Sequence, residues 1–341
     1  MFRVQEVVSS NLTAPTNLPF WVLSTASTSD SLAISGRFAY LAQMNSHGIL
    51  LAFLTSAMMA VAQSPAPAQP ASTGSNQAPR IVFFDDFSGT ELDRTKWNVI
   101  VTGQTVNNEQ QAYVDAPETI SIVHGAEAGG AENGALAIQA VYRPGFTTRN
   151  GRMFDFISGR LDTRSKFEHS YGTWEARIKL PPGSGLWPAF WALGTGRWPD
   201  TGEIDILEYT GDTDWISAAL HGPGYSGETP LVNKLTLKPN NDATAWHIYS
   251  VDWTPESFLF KVDGEVYYRV SRAMIEHYGR YAYENPKFVI LNLALGGAYP
   301  IKINGVKTPY PGLPESTVQR IKDNQAKMLV DWVRVIEMPA R

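Results

Sequence analysis

From Ile81 onward, apolar residues come in short runs cut at brief intervals by Gly, Pro, Asn and Asp. Residues 172–180 (GTWEARIKL), 257–262 (SFLFKV) and 288–295 (FVILNLAL) have the length and patterning of strands. Asp263-Gly264, between two such runs, predicts a two-residue hairpin turn. Helical periods are scarce, and only residues 271–278 and 315–325 read as short helices. Strands at this spacing with so little helix predict an all-β sandwich or barrel. About 260 residues is a normal size for one such domain. No internal repeat is visible.

Upstream of Arg80 the pattern changes. Residues 63–79 (QSPAPAQPASTGSNQAP) form a Pro/Ala/Ser tract without apolar period, the signature of a solvated linker. Residues 48–62 (GILLAFLTSAMMAVA) are an apolar run shorter than the roughly 20 residues of a membrane span. The run ends in Ala60-Val61-Ala62, a small-x-small pattern that predicts signal cleavage after Ala62. Its positive n-region is poor, with only His47 between Met44 and Gly48, so an uncleaved anchor or a buried helix stays open. Residues 1–43 carry only Arg3, Glu6, Asp30 and Arg37 as charges, and translation from Met44 would omit them. The expected organisation is an extension at 1–43, a signal peptide at 44–62, a linker at 63–80 and one domain at 81–341. The mature protein is then expected to be secreted or periplasmic, without stable membrane association.

Composition narrows the function. Lys and Arg total 28 against 33 Asp and Glu, a net charge of −5 with no basic block, which argues against nucleic acid as partner. The absence of cysteine removes disulfides, thiolate metal sites and thiol nucleophiles. Aromatic residues are abundant: 10 Trp, 14 Tyr and 15 Phe. Flat rings exposed in a groove are one outlet for such an excess.

Three acids stand in the otherwise apolar run of residues 201–209 (TGEIDILEY): Glu203, Asp205 and Glu208. Carboxylates among Ile and Leu are costly unless paired or used. A regular strand would turn Glu208 away from the other two. A β-bulge at Ile206-Leu207 would shift the phase and bring all three to one face. Glu203 and Glu208 would then lie about 13 Å apart at Cα, at ~3.3 Å per residue. Inward-leaning side chains would permit the roughly 5–5.5 Å carboxyl separation of a retaining glycosidase, against about 6.5–9.5 Å for an inverting one. Taken alone, the string is a weak signal, and a solvent-facing acidic strand or a cation site accounts for it more readily; its context changes that. Just upstream, in residues 185–194 (GLWPAFWALG), a strand would put Trp187 and Trp191 on one face, either as a sugar platform or as core. Trp198 precedes the acids on a loop.

The run from Tyr171 to Gly211 (YGTWEARIKLPPGSGLWPAFWALGTGRWPDTGEIDILEYTG) resembles glycoside hydrolase family 16, especially its bacterial laminarinase-like β-glucanases. Supporting segments include FFDDFSG at 83–89, NNEQQAY at 107–113, ISGR at 157–160, LHGPGY at 220–225, LNLALGG at 291–297 and DWVRV at 331–335. The resemblance covers roughly residues 81–338. It implies a concanavalin A-like β-jelly-roll sandwich of two curved antiparallel sheets with an open concave cleft. It also implies a retaining endo-β-1,3-glucanase, with mixed-linkage 1,3-1,4-β-glucan as a further substrate. Glu203 would be nucleophile, Glu208 acid/base and Asp205 the supporting carboxylate. Trp187, Trp191, Trp198, His221, Arg160 and Asn108 would contact the sugar or, for His221, hydrogen-bond the acids. No cofactor is implied for catalysis. Asp331 matches a position that in many members helps hold a structural Ca²⁺. A galactan substrate, transglycosylation and a non-catalytic carbohydrate-binding protein remain alternatives. The protein is expected to be a monomer.

Overall fold

The computed structural model describes residues 78–339, all within a unit spanning Pro70–Arg341. The expected extension, signal peptide and most of the linker lie outside the described residues. The first strand among the described residues is Arg80–Asp85. No helix among the described residues is long and apolar enough to cross a membrane.

Two large antiparallel sheets form the expected jelly-roll sandwich. One has eight strands, in the order Glu265–Ser271, Ser257–Val262, His247–Trp253, Gly172–Lys179, Lys327–Glu337, Ala135–Gln139 and Ile120–Val123, with Arg80–Asp85 also paired to Lys327–Glu337. The other has seven, in the order Leu231–Thr236, Trp215–His221, Glu203–Glu208, Leu186–Gly194, Lys287–Leu295, Arg160–Asp162 and Asn98–Val99. A third, three-stranded sheet was not anticipated; within it Gln111–Tyr113 runs parallel to Met153–Ser158.

The strands arise where period-two alternation lets one face bury. On Trp215–His221, Ile216, Ala218 and Leu220 enter the core, while Trp215, Ser217, Ala219 and His221 take the opposite face. Trp174 and Trp253 from the other sheet belong to the same core, both essentially without exposure. Each such large apolar side chain contributes about 1.5–3 kcal/mol on burial. Part of the aromatic excess is therefore core, Trp97 included. The Asp263-Gly264 turn is present, with φ of 51° and 85°. Of the three α-helices among the described residues, Arg272–Tyr278 and Glu315–Lys322 fall where expected. The third, Ala298–Asn304, does not follow from periodicity and is set off by the Gly296-Gly297 pair.

Candidate active site

The strand Glu203–Glu208 slips in register against both neighbours at the same place. Against Leu186–Gly194, Leu207 faces Phe190 and Asp205 faces Trp191, so Ile206 has no partner. Against Trp215–His221, Asp205 faces Ala219 and Glu208 faces Ser217, so Ile206 and Leu207 together stand against Ala218 alone. The extra residue is the expected β-bulge. It turns Ile204, Ile206 and Leu207 into the core. Glu203, Asp205 and Glu208 are left together on the other face.

Each glutamate is held by an indole. Trp198 Nε1 donates to Glu203 Oε2 at 2.8 Å, and Trp187 Nε1 donates to Glu208 Oε1 at 3.1 Å. Directly opposite Glu203 in register stands His221. Its Nε2 is 3.3 Å from Asp205 Oδ2 and 4.0 Å from Glu203 Oε1. The Gly227 N–H donates to Nδ1 at 3.2 Å, so the neutral ring carries its proton on Nε2, toward the acids. The approach to Asp205 is off-axis. That oxygen therefore has no hydrogen-bond partner among the described residues, and the contact is electrostatic.

Burial raises all three carboxyl pKa values, those of Glu203 and Glu208 to about 8 and that of Asp205 to about 7. For both glutamates the neighbouring Asp205 charge adds to the rise, and His221 opposes it. Protons leave such a cluster one at a time, so an ionised and a protonated carboxyl coexist over a range of pH. Ligand atoms of Glu203, Asp205 and His221 also lie within 4.8 Å of one another, a spacing open to a metal ion. The Trp198 N–H aimed at Glu203 is a donor to an anionic oxygen and adds nothing to the binding of a cation.

The sugar-contact candidates divide. Trp187 and Trp191 are half-buried on the acid face, and Trp198 is 45% exposed. Trp191 Nε1 donates to Asn292 Oδ1 at 2.7 Å, and the Arg160 guanidinium carbon lies 4.9 Å from the Trp191 ring centre. Arg160 Nε is buried without a partner, which leaves a donor beside the platform. Asn108, by contrast, is exposed, and its side chain makes no hydrogen bond among the described residues. The next residue, Glu109, is half-buried. It accepts from Gln111 Nε2 at 2.9 Å, and burial raises its pKa against the pull of Arg160. Tyr299 was also missed. It meets Trp187 edge-on at 5.2 Å, with its hydroxyl 3.4 Å from Ser217 Oγ. The sequence signal for it was the preceding glycine pair: a Cβ on Gly297 would lie 2.5 Å from Asn107 O, so only glycine allows that loop to seat. His247 is structural, 2.7 Å from Asp263 Oδ2.

Asp331 does not fit the expected calcium site. One of its oxygens accepts the Glu132 N–H at 3.0 Å, and the other pairs with the Arg177 guanidinium. Arg177 in turn lies over the Trp246 ring, 4.8 Å from its centre. A cation placed at Asp331 would face a fixed positive charge, so the carboxylate is already neutralised by the protein itself.

A β-sandwich with paired glutamates clamped by indoles beside an arginine-backed tryptophan fits a glycoside hydrolase. Comparison with known proteins agrees. The profile of Glycosyl hydrolases family 16 matches residues 97–333. A β-glucanase of Rhodothermus marinus is 30% identical over 76% of this chain and 87% of its own length. An endo-1,3-1,4-β-glycanase, ExsH, of Rhizobium meliloti is 30% identical over 73% of the chain, which spans 52% of that protein. The X-ray structure of an endo-β-1,3-glucanase from Pyrococcus furiosus superposes with a TM-score of 0.64 at 33% identity, covering 76% of this chain and 94% of that one. The chain belongs to glycosyl hydrolase family 16.

Proposed function

We propose that this protein is a retaining endo-β-1,3-glucanase that also cuts mixed-linkage 1,3-1,4-β-glucan. The observation that carries this reading is the bulge that sets Glu203, Asp205 and Glu208 on one face, with an indole N–H on each glutamate. The relatives' activities support the substrate class. Glu208, protonated, gives its proton to the glycosidic oxygen as the C–O bond breaks. Glu203, ionised, forms the ester to the anomeric carbon. Water then attacks that carbon, losing its proton to Glu208 and releasing Glu203. Asp205 keeps the charge of the pair divided, and the His221 Nε2–H faces it. Trp191, backed by Arg160, offers a flat face to a sugar ring. The protein acts as a monomer after export and loss of residues 1–62, which N-terminal sequencing of the mature protein tests.

The catalytic test is a hydrolysis panel of laminarin, mixed-linkage glucan, agarose and carrageenan, with Glu203→Gln as control. Activity on the first two and retention of the anomer by NMR are expected. Activity confined to agarose or carrageenan, or an inverted first product, would overturn the reading.

A further inference from the structure

Lys287 is a buried charge that the reaction leaves unused. It opens the strand Lys287–Leu295, every residue of which is buried, and is itself fully enclosed. Its ammonium has no carboxylate partner among its contacts. Nζ donates to Thr201 O at 2.7 Å, to Asn285 Oδ1 at 2.9 Å and, at longer range, to Asn285 O and Ala282 O at 3.3 and 3.4 Å. The Trp253 and Tyr283 rings close the remaining side, with centres at 5.3 and 5.5 Å. An ammonium has three donors and no acceptor, so a cage of oxygens and ring faces suits it.

The oxygen that it holds closest matters most. Thr201 lies two residues before Glu203 and three after Trp198, in the loop that aims both. Asn285 Nδ2 donates to the same carbonyl at 3.1 Å. The next residue, Gly202, sits so close to the turn that a Cβ there would be 2.4 Å from Ala282 O. Arg280 adds a bond to Asp200 O at 3.1 Å. The turn also grips the strand on the other flank of the acids: Tyr283 OH donates to His221 O at 2.9 Å, and Arg280 N to Pro223 O at 3.1 Å. Residues 280–287 thus tie the loop before Glu203 and the end of the His221 strand to one support, with Lys287 at its centre.

We propose that Lys287 is a positioning residue, whose buried ammonium fixes the Thr201 carbonyl and thereby the placement of Trp198 and Glu203 for the reaction. This rests on the role given to Glu203 above. Burial lowers the Lys287 pKa to about 7; the hydrogen bonds to Thr201 O and Asn285 Oδ1 work in the other direction, favouring the ammonium. A misplacement of reacting groups by about 1 Å costs on the order of 10²-fold in rate. Lys287 is fully buried and touches no sugar, so it reaches binding only through Trp198, and the effect on KM should be the smaller one.

The test is steady-state kinetics of Lys287→Met on laminarin, with circular dichroism and thermal unfolding to establish folding. The folded variant is expected to lose roughly 10- to 100-fold in kcat, with KM changed less than about threefold. A folded variant with kcat within twofold of wild type, or with the loss confined to KM, overturns the proposal. Should Lys287→Met not fold, Asn285→Leu decides by the same criteria, since it removes one acceptor of Lys287 and the second donor to Thr201 O. Wild-type protein inactive on β-glucan, or Glu203→Gln fully active, would instead strike the functional reading, and neither result can be produced by a failure at Lys287.

Discussion

Replacing Trp187 by phenylalanine isolates one hydrogen bond to a catalytic carboxyl. The phenyl ring keeps the edge-on contact with Tyr299, while the 3.1 Å bond from Nε1 to Glu208 Oε1 is lost. A hydrogen bond to an ionised group contributes about 1.5–3 kcal/mol, and its length puts this one near the lower figure. At 1.36 kcal/mol per pH unit, that is a shift of about one unit. The bond favours the ionised carboxylate, so removing it raises the Glu208 pKa above its already elevated value of about 8. A general acid works protonated, and activity falls as pH rises through its pKa. The alkaline limb of kcat/KM should therefore move up by about one unit in Trp187→Phe. Trp198→Phe makes the complementary change at Glu203, which works ionised and loses activity as pH falls through its pKa. Its acid limb should move up, by about half a unit, because Trp198 is exposed and water screens the bond. The assay is reducing-sugar release from laminarin, which carries no titrating group, across pH 4 to 10. Movement of the acid limb in Trp187→Phe and of the alkaline limb in Trp198→Phe would exchange the two roles. No movement in either would refute the coupling of indole to carboxyl altogether.

Three further outcomes follow from the structure. Glu208→Gln keeps the shape and the acceptor for Trp187 but has no proton to give, and kcat on laminarin should fall by about 10²–10⁴-fold; retention of more than a tenth of wild-type activity would place the acid elsewhere. Chelation with EDTA should leave the melting temperature unchanged, whereas Arg177→Met, which strands the buried Asp331 carboxylate, should destabilise the fold by about 3–5 kcal/mol in denaturant titration; a melting temperature that drops with EDTA and recovers with Ca²⁺ would restore the metal to this position.

Much of the site was legible in the sequence because it follows from the period of a strand. Three acids among Ile and Leu can share a face only through an inserted residue, and the bulge at Ile206 supplies it. The two-residue spacing of Trp187 and Trp191 about Ala189 likewise set them on that face before any neighbour was known. The Asp263-Gly264 turn follows from backbone conformations that those two residues tolerate. These are local constraints, and local pattern records them.

The rest depends on which strands lie side by side. Trp187 reaches Glu208 and Trp198 reaches Glu203 because of a cross-strand register and the path of a loop, and a stacking role was all that periodicity could assign them. Within NNEQQAY, the choice of Glu109 over Asn108 as the residue facing Arg160 was made by the left-handed turn at Asn107 and Asn108. Asp331 kept its place on its strand, but Arg177, 154 positions away, neutralised it. Lys287 carried no motif at all: a lysine before an apolar run reads as a strand end in solvent, and only the oxygens gathered from Thr201, Ala282 and Asn285 make it an interior cation. Sequence by itself determined the faces of the strands, since side-chain direction alternates with every residue. Tertiary structure alone decided which charges and donors meet across them, since contacts between distant segments leave no period in the chain.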